Sequence, residues 1–108
     1  MIDLEELTGA GRVQNLSGRL RGLAAREKFH LEEMDRSGEM VEVRVPDYVY
    51  SMTPSFFQGL FGSSVHALGD DERLFRERFR FVAPAIVLQQ IERGLAATLT
   101  SRNLNDIH

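Results

Sequence analysis

Tyr48-Val49-Tyr50-Ser51-Met52-Thr53-Pro54-Ser55-Phe56-Phe57-Gln58-Gly59-Leu60-Phe61-Gly62 reads as the end of a buried strand, a sharp turn and the start of a helix. Thr53 suits the N-cap, where its hydroxyl accepts from an orphan N–H of the first turn. Pro54 then falls at the first helical position, where a missing N–H costs nothing and the fixed φ is helical. Val49 and Met52 before the turn are apolar in an extended context. Phe57, Leu60, Phe61, Ser64, Val65 and Leu68 after it recur as one amphipathic stripe, and Gly69 supplies the stop. Gly59 and Gly62 inside this helix cost up to about 1 kcal/mol each relative to alanine. Close packing against the sheet or another helix is the expected compensation.

Outward from this stretch, Met40-Val41-Glu42-Val43-Arg44-Val45 is the clearest strand. Its valines face one way and Glu42 and Arg44 the other, the pattern of a sheet with one wet face. Upstream, residues 1–7 are a short edge-strand candidate, Thr8-Gly9-Ala10-Gly11 is a turn, and residues 16 to about 36 read as one helix. Its stripe is Leu16, Leu20, Leu23, Glu27, Leu31 and Met34, ended by Ser37-Gly38. Downstream, Asp70-Asp71-Glu72 opens a short helical turn whose acidic start suits the helix dipole. Phe79-Arg80-Phe81-Val82 reads as a strand, and across residues 76–82 Arg76, Arg78 and Arg80 share one face. Pro84 falls at the first position of a last helix with the stripe Val87, Ile91, Gly94, Leu95 and Thr98, and residues 103–108 form a polar tail expected to fray.

The alternation of strand and helix predicts an α/β domain. The polar second face of two strands predicts a small, mainly parallel or mixed sheet with its helices mostly on one face. A chain of 108 residues is one domain, 1–108, and 43% apolar content supports a core without staples. There is no cysteine, which removes disulfides, thiol catalysis and thiolate metal sites. No apolar run approaches membrane-spanning length, and the acidic start lacks a signal-peptide pattern, so a soluble cytoplasmic protein is expected. A net charge of −3 argues against a general nucleic-acid binder.

Val41-Glu42-Val43-Arg44-Val45, Thr53-Pro54-Ser55-Phe56, Leu60-Phe61-Gly62, Gly69 and Phe79-Arg80-Phe81 together resemble the bacterial STAS-like domains of unknown function. The resemblance covers about residues 16–100. It implies the fold of anti-sigma factor antagonists, with helices largely on one face of a mixed sheet. Those antagonists carry a serine at this same strand-to-helix turn that a partner ATPase-kinase phosphorylates, which switches binding. Ser55 is its nearest counterpart, with Thr53 and Pro54 ahead of it and Phe56 in place of a glycine.

Several residues are candidates for function. Ser55, with Thr53 beside it, is the candidate switch, since N–H groups and the helix dipole favour an anion at a helix start. Tyr50, Ser51, Phe56 and Gln58 are candidate partner contacts. Phe56 lies off the main stripe and is either an exposed anchor or buried against Tyr48 or Tyr50. Arg76, Arg78 and Arg80 are candidate anion contacts if they form a basic ladder. His30, His66 and His108 have no ligand spacing, no nucleophile–base or carboxylate pair stands at motif spacing, and no phosphate loop is present. The expected function is a non-catalytic interaction and regulatory module without metal or cofactor. Its partner, as the resemblance implies, is a protein such as a histidine-kinase-type ATPase. The alternatives are a small phage- or mobile-element-type regulator or inhibitor on the same fold, or a homodimeric structural module.

Overall fold

The computed structural model describes the backbone of residues 1–106 and the side chains of residues 1–100. The α/β class follows from its element order. β1 (Ile2–Asp3) runs into a 3-10 turn, and β2 (Asn15–Leu16) leads to α1 (Arg19–Lys28) and α2 (Leu31–Ser37). β3 (Val41–Arg44) and β4 (Ser51–Met52) lead to α3 (Pro54–Ala67) and α4 (Glu72–Arg78). β5 (Phe79–Val82) and α5 (Ala85–Asp106) close the chain.

β1, β3 and β5 form one sheet in that order, and β2 pairs with β4 in a second. Every described ladder is parallel, so the antiparallel part of a mixed sheet is absent from these strands. The cause is the connections: each passes through helix and returns the next strand in the same direction. Ile2, Val41, Val43 and Phe79 are buried, while Glu42, Arg44, Arg80 and Val82 are exposed. The helices therefore lie on one face of the three-stranded sheet and leave the other to solvent, as the alternation in β3 requires.

β2 feeds α1 and, alongside it, β4 feeds α3, so the two helices start from paired strands. They meet backbone to backbone. A Cβ built on Gly22 would lie 2.3 Å from the Phe56 carbonyl oxygen, and one on Gly59 would lie 2.3 Å from that of Arg19. Each glycine also has the other's Cα 3.0 Å from that position. This contact reorders α1. Its buried face is Gly22, Ala25 and Arg26, while Leu20 and Leu23 are 80% and 41% exposed. The expected leucine stripe is thus wrong for this helix, because a crossing this close admits only the smallest residues. The single helix over 16–36 is also broken: Leu16 belongs to β2, and His30 takes a left-handed conformation (φ 56°) between α1 and α2.

The α3 stripe is as expected, with Phe57, Leu60, Phe61, Ser64 and Val65 buried and Leu68 half-buried. Phe57, Phe61, Phe75, Phe79 and Phe81 form a cluster with ring centroids 5.0–6.1 Å apart, which ties α3 to α4 and β5. Edge contacts of this kind add about 0.5–1.5 kcal/mol each to simple burial. α5 buries Val87, Ile91, Gly94 and Leu95. Gly94 packs on Phe57, whose Cβ would lie 2.7 Å from an added methyl. Pro84 stands just outside α5, its carbonyl accepting from the Leu88 amide at 3.0 Å. The helix continues through residue 106, past the start of the expected frayed tail, and residues 107–108 lie outside the described residues. Ile2 and Leu4 are fully buried, so the N-terminal strand is part of the core.

Alanine at Gly22 or Gly59 should lower stability by at least about 3 kcal/mol, the upper end of overpacking penalties, because the obstacle is backbone. Alanine at Gly62, where an added Cβ meets nothing within 4 Å, should instead stabilise by up to about 1 kcal/mol. Thermal unfolding of the three variants checks both signs.

Candidate functional site

The corner between β4 and α3 is built by local hydrogen bonds. Thr53 is extended (φ −73°, ψ 153°), and its Oγ1 accepts from the Phe56 amide at 3.2 Å, the N-cap bond that its sequence position predicts. The same oxygen accepts from the Gly18 amide at 3.3 Å, which couples this corner to the entrance of α1. Strand bonds hold it from below: the Tyr50 amide donates to the Gln14 carbonyl and that of Thr53 to the Leu16 carbonyl, both at 2.9 Å. The Met52 amide donates to Gln90 Oε1 on α5. β2, the entrance of α1 and α5 therefore fix the corner, and one hydroxyl, Thr53 Oγ1, bonds both the first turn of α3 and the entrance of α1.

The candidate residues at this corner divide. Ser55 is exposed, and its Oγ lies 3.2 Å from Thr53 Oγ1. Tyr50 is 57% exposed, and Ser51 and Gln58 are half-buried. Phe56 is buried, so it is no exposed anchor. It shares a groove with Leu7, Val13, Leu16, Ala24 and Ala25, whose lining also includes Asn15, Arg21 and Lys28, because the glycine crossing brings α1 over this end of α3. Tyr48 turns away toward the N-terminal loop, its hydroxyl 2.7 Å from Thr8 Oγ1.

Arg76, Arg78 and Arg80 do not form a ladder. Arg76 and Arg78 belong to α4, and only Arg80 lies on β5, so helical turns replace the assumed strand alternation. Arg76 bonds both carboxylate oxygens of Glu92 (2.5 and 2.7 Å) and Glu72 at 2.6 Å. Its pKa is raised by hydrogen bonds to Glu92 first and Glu72 second. Arg78 donates to the Asp35 carbonyl at 3.4 Å. Arg80 is exposed opposite Glu42 on the open sheet face. Asp71 caps α4 through the Leu74 amide at 3.1 Å, the structural role expected of this acidic start.

A buried polar cluster escaped the sequence reading. Arg26 Nη1 donates to the Leu60 carbonyl (3.1 Å) and to Ser64 Oγ (2.9 Å), and Nη2 donates to Asp35 Oδ2 at 2.5 Å. Ser64 Oγ in turn donates to Asp35 at 2.8–3.0 Å. The cluster joins α1, α2 and α3. Ser64 is fully buried, so its hydroxyl meets no substrate. Ser64, a polar position inside the apolar stripe of α3, was the available signal. Its partners come from two other helices at no fixed spacing.

Comparison with protein-family models, with curated proteins and with solved structures gives no match for this chain in any of the three. No helix among the described residues is long and apolar enough to cross a membrane.

Arg26→Ala should destabilise the fold by about 3–5 kcal/mol, because it leaves Asp35 with a nearly buried, uncompensated charge. Thr53→Ala should cost about 1 kcal/mol, the ordinary worth of an N-cap. Denaturant titration of both variants orders the two effects.

Proposed function

We propose that this chain is a non-catalytic protein–protein interaction module that regulates its partner through the β4–α3 corner, with Ser55 as a phosphorylation switch. The carrying observation is the exposed Ser55 hydroxyl in the first turn of a 14-residue helix, beside the Thr53 cap. A phosphate at this position would meet the positive end of the helix dipole and the first-turn amides, so the modified helix would remain folded. The added charge would act on whatever docks against Tyr50 and the half-buried Ser51 and Gln58. The recorded partner of Ser55 Oγ is the Thr53 hydroxyl, and no histidine or carboxylate among the described residues is bonded to it. That supports a modified residue over a catalytic nucleophile.

The resemblance to STAS-like domains supports the same reading, since Ser55 is the nearest counterpart of the switch serine of anti-sigma factor antagonists. On this reading the chain is a bacterial cytoplasmic regulator, and its partner is a histidine-kinase-type ATPase that both docks on the corner and supplies the phosphate.

The test is binding of such an ATPase from the native host to wild type, Ser55→Ala and Ser55→Asp, with phosphate incorporation followed by mass spectrometry. Wild type and Ser55→Ala should bind alike, and Ser55→Asp at least about tenfold more weakly, equivalent to about 1.4 kcal/mol. Phosphate should enter wild type and not Ser55→Ala. Equal binding by all three variants, or phosphate uptake that survives Ser55→Ala, would contradict the switch.

A further inference from the structure

The three-stranded sheet ends at β5, which pairs with β3 on one side only. The Val45 amide donates to the Val82 carbonyl at 2.8 Å. This bond fixes the parity of the strand: the backbone groups of Arg80 and Val82 point at β3, and those of Phe79 and Phe81 point to the free edge. The Phe79 amide is already taken by the Phe75 carbonyl at the end of α4. Among the described residues the amide and carbonyl of Phe81 are left without a bonded partner along the edge, while Phe79 is itself buried.

Folded proteins blunt such an edge with proline, a bulge, an inward charge or a covering segment. Phe79-Arg80-Phe81-Val82 contains no proline, and its one charge, Arg80, is on the open face. A groove of about 340 Å³ runs beside the edge, lined by Phe75, Phe79, Phe81, Leu88 and Leu95 together with the charged Arg76, Arg80 and Glu92. Val82 is 49% exposed and Leu88 39%. The strand is thus strongly β-forming and free of proline, and its apolar residues share the groove with charged neighbours.

We propose that β5 pairs antiparallel with β5 of a second copy across a two-fold axis at Phe81, making one continuous six-stranded sheet. The sequence of the edge selects this register. With Phe81 opposite Phe81, each amide meets the other copy's carbonyl as a hydrogen-bonded pair, and the two rings lie together on the helix side. Arg80 then faces Val82 of the second copy on the open side, and no like charges meet. The neighbouring register centred on Arg80 would set two guanidinium groups opposite each other, and it would need the Phe79 amide that α4 already holds. Both objections vanish at Phe81. The strand is therefore complementary to itself, as a closed two-fold interface requires. This inference uses none of the residues of the proposed switch and stands apart from it.

The chain contains no cysteine, which makes the test clean. A hydrogen-bonded antiparallel pair holds its Cα atoms about 5.5 Å apart, within disulfide range. Phe81→Cys in the full chain should therefore form a disulfide-linked dimer under mild oxidation, while the exposed Met40→Cys stays monomeric under the same conditions. Light scattering of the wild type should give twice the 12.3 kDa chain mass. Val82→Arg, which faces Arg80 of the second copy, should weaken the dimer at least tenfold, and Val82→Glu should tighten it, with circular dichroism confirming the fold of each. A wild type that stays monomeric up to its solubility limit overturns the proposal. So does a dimer indifferent to the charge at residue 82, or Phe81→Cys cross-linking no faster than Met40→Cys.

Discussion

The contact between Gly22 and Gly59 sets the geometry on which the rest of the molecule depends. Two helices that approach until backbone touches backbone have no room for side chains between them, and the positions around the crossing become fixed. β2 and β4 sit at the feet of these helices and pair in parallel. Thr53, between β4 and α3, caps its own helix and accepts from Gly18 at the start of the other. The candidate switch corner is therefore no free loop. It is the place where the crossing, the short sheet and α5 converge, which is why an exposed hydroxyl there is held in a defined position.

The buried Arg26 is a consequence of the same approach. Once α1 lies against α3, the residue one turn after Gly22 faces the interior, and it is an arginine. A buried guanidinium is tolerable only when its donors and its charge are matched. The Leu60 carbonyl, Ser64 and Asp35 do this, and no buried side-chain polar atom among the described residues lacks a partner. Asp35 reaches the cluster because His30 turns the chain back into α2. The helix break, the buried ion pair and the glycine crossing are three aspects of one packing solution.

What could be read in the sequence follows this division. The alternation of β3, the Thr53-Pro54 start and apolar stripe of α3, and the stripe of α5 are set by near neighbours or by a single wet–dry boundary. All of these are visible in local pattern. α1 inverts the usual rule: its glycine, alanine and arginine are inside and two leucines are outside, because the neighbouring backbone sets the fit and hydropathy does not. Residues 76–80 are open to two readings for a different reason, since three arginines at alternate positions in a short run do not distinguish helix from strand. At the candidate site, the Thr53 cap and the position of Ser55 in the first turn are local and legible. The burial of Phe56 depends on where α1 lies, and no feature of residues 48–62 carries that information.

The central claim is that α1 and α3 form one cooperative unit closed by the glycine crossing and the Arg26 cluster. Native-state amide hydrogen exchange tests it most directly, because it reports opening free energies segment by segment. The account requires the amides of residues 22–26 in α1 and 60–65 in α3 to be the slowest in the chain and to open with the same free energy, that of global unfolding. If the amides of α1 open well below those of α3, α1 is a peripheral helix, the crossing does not hold the fold together, and the account is wrong.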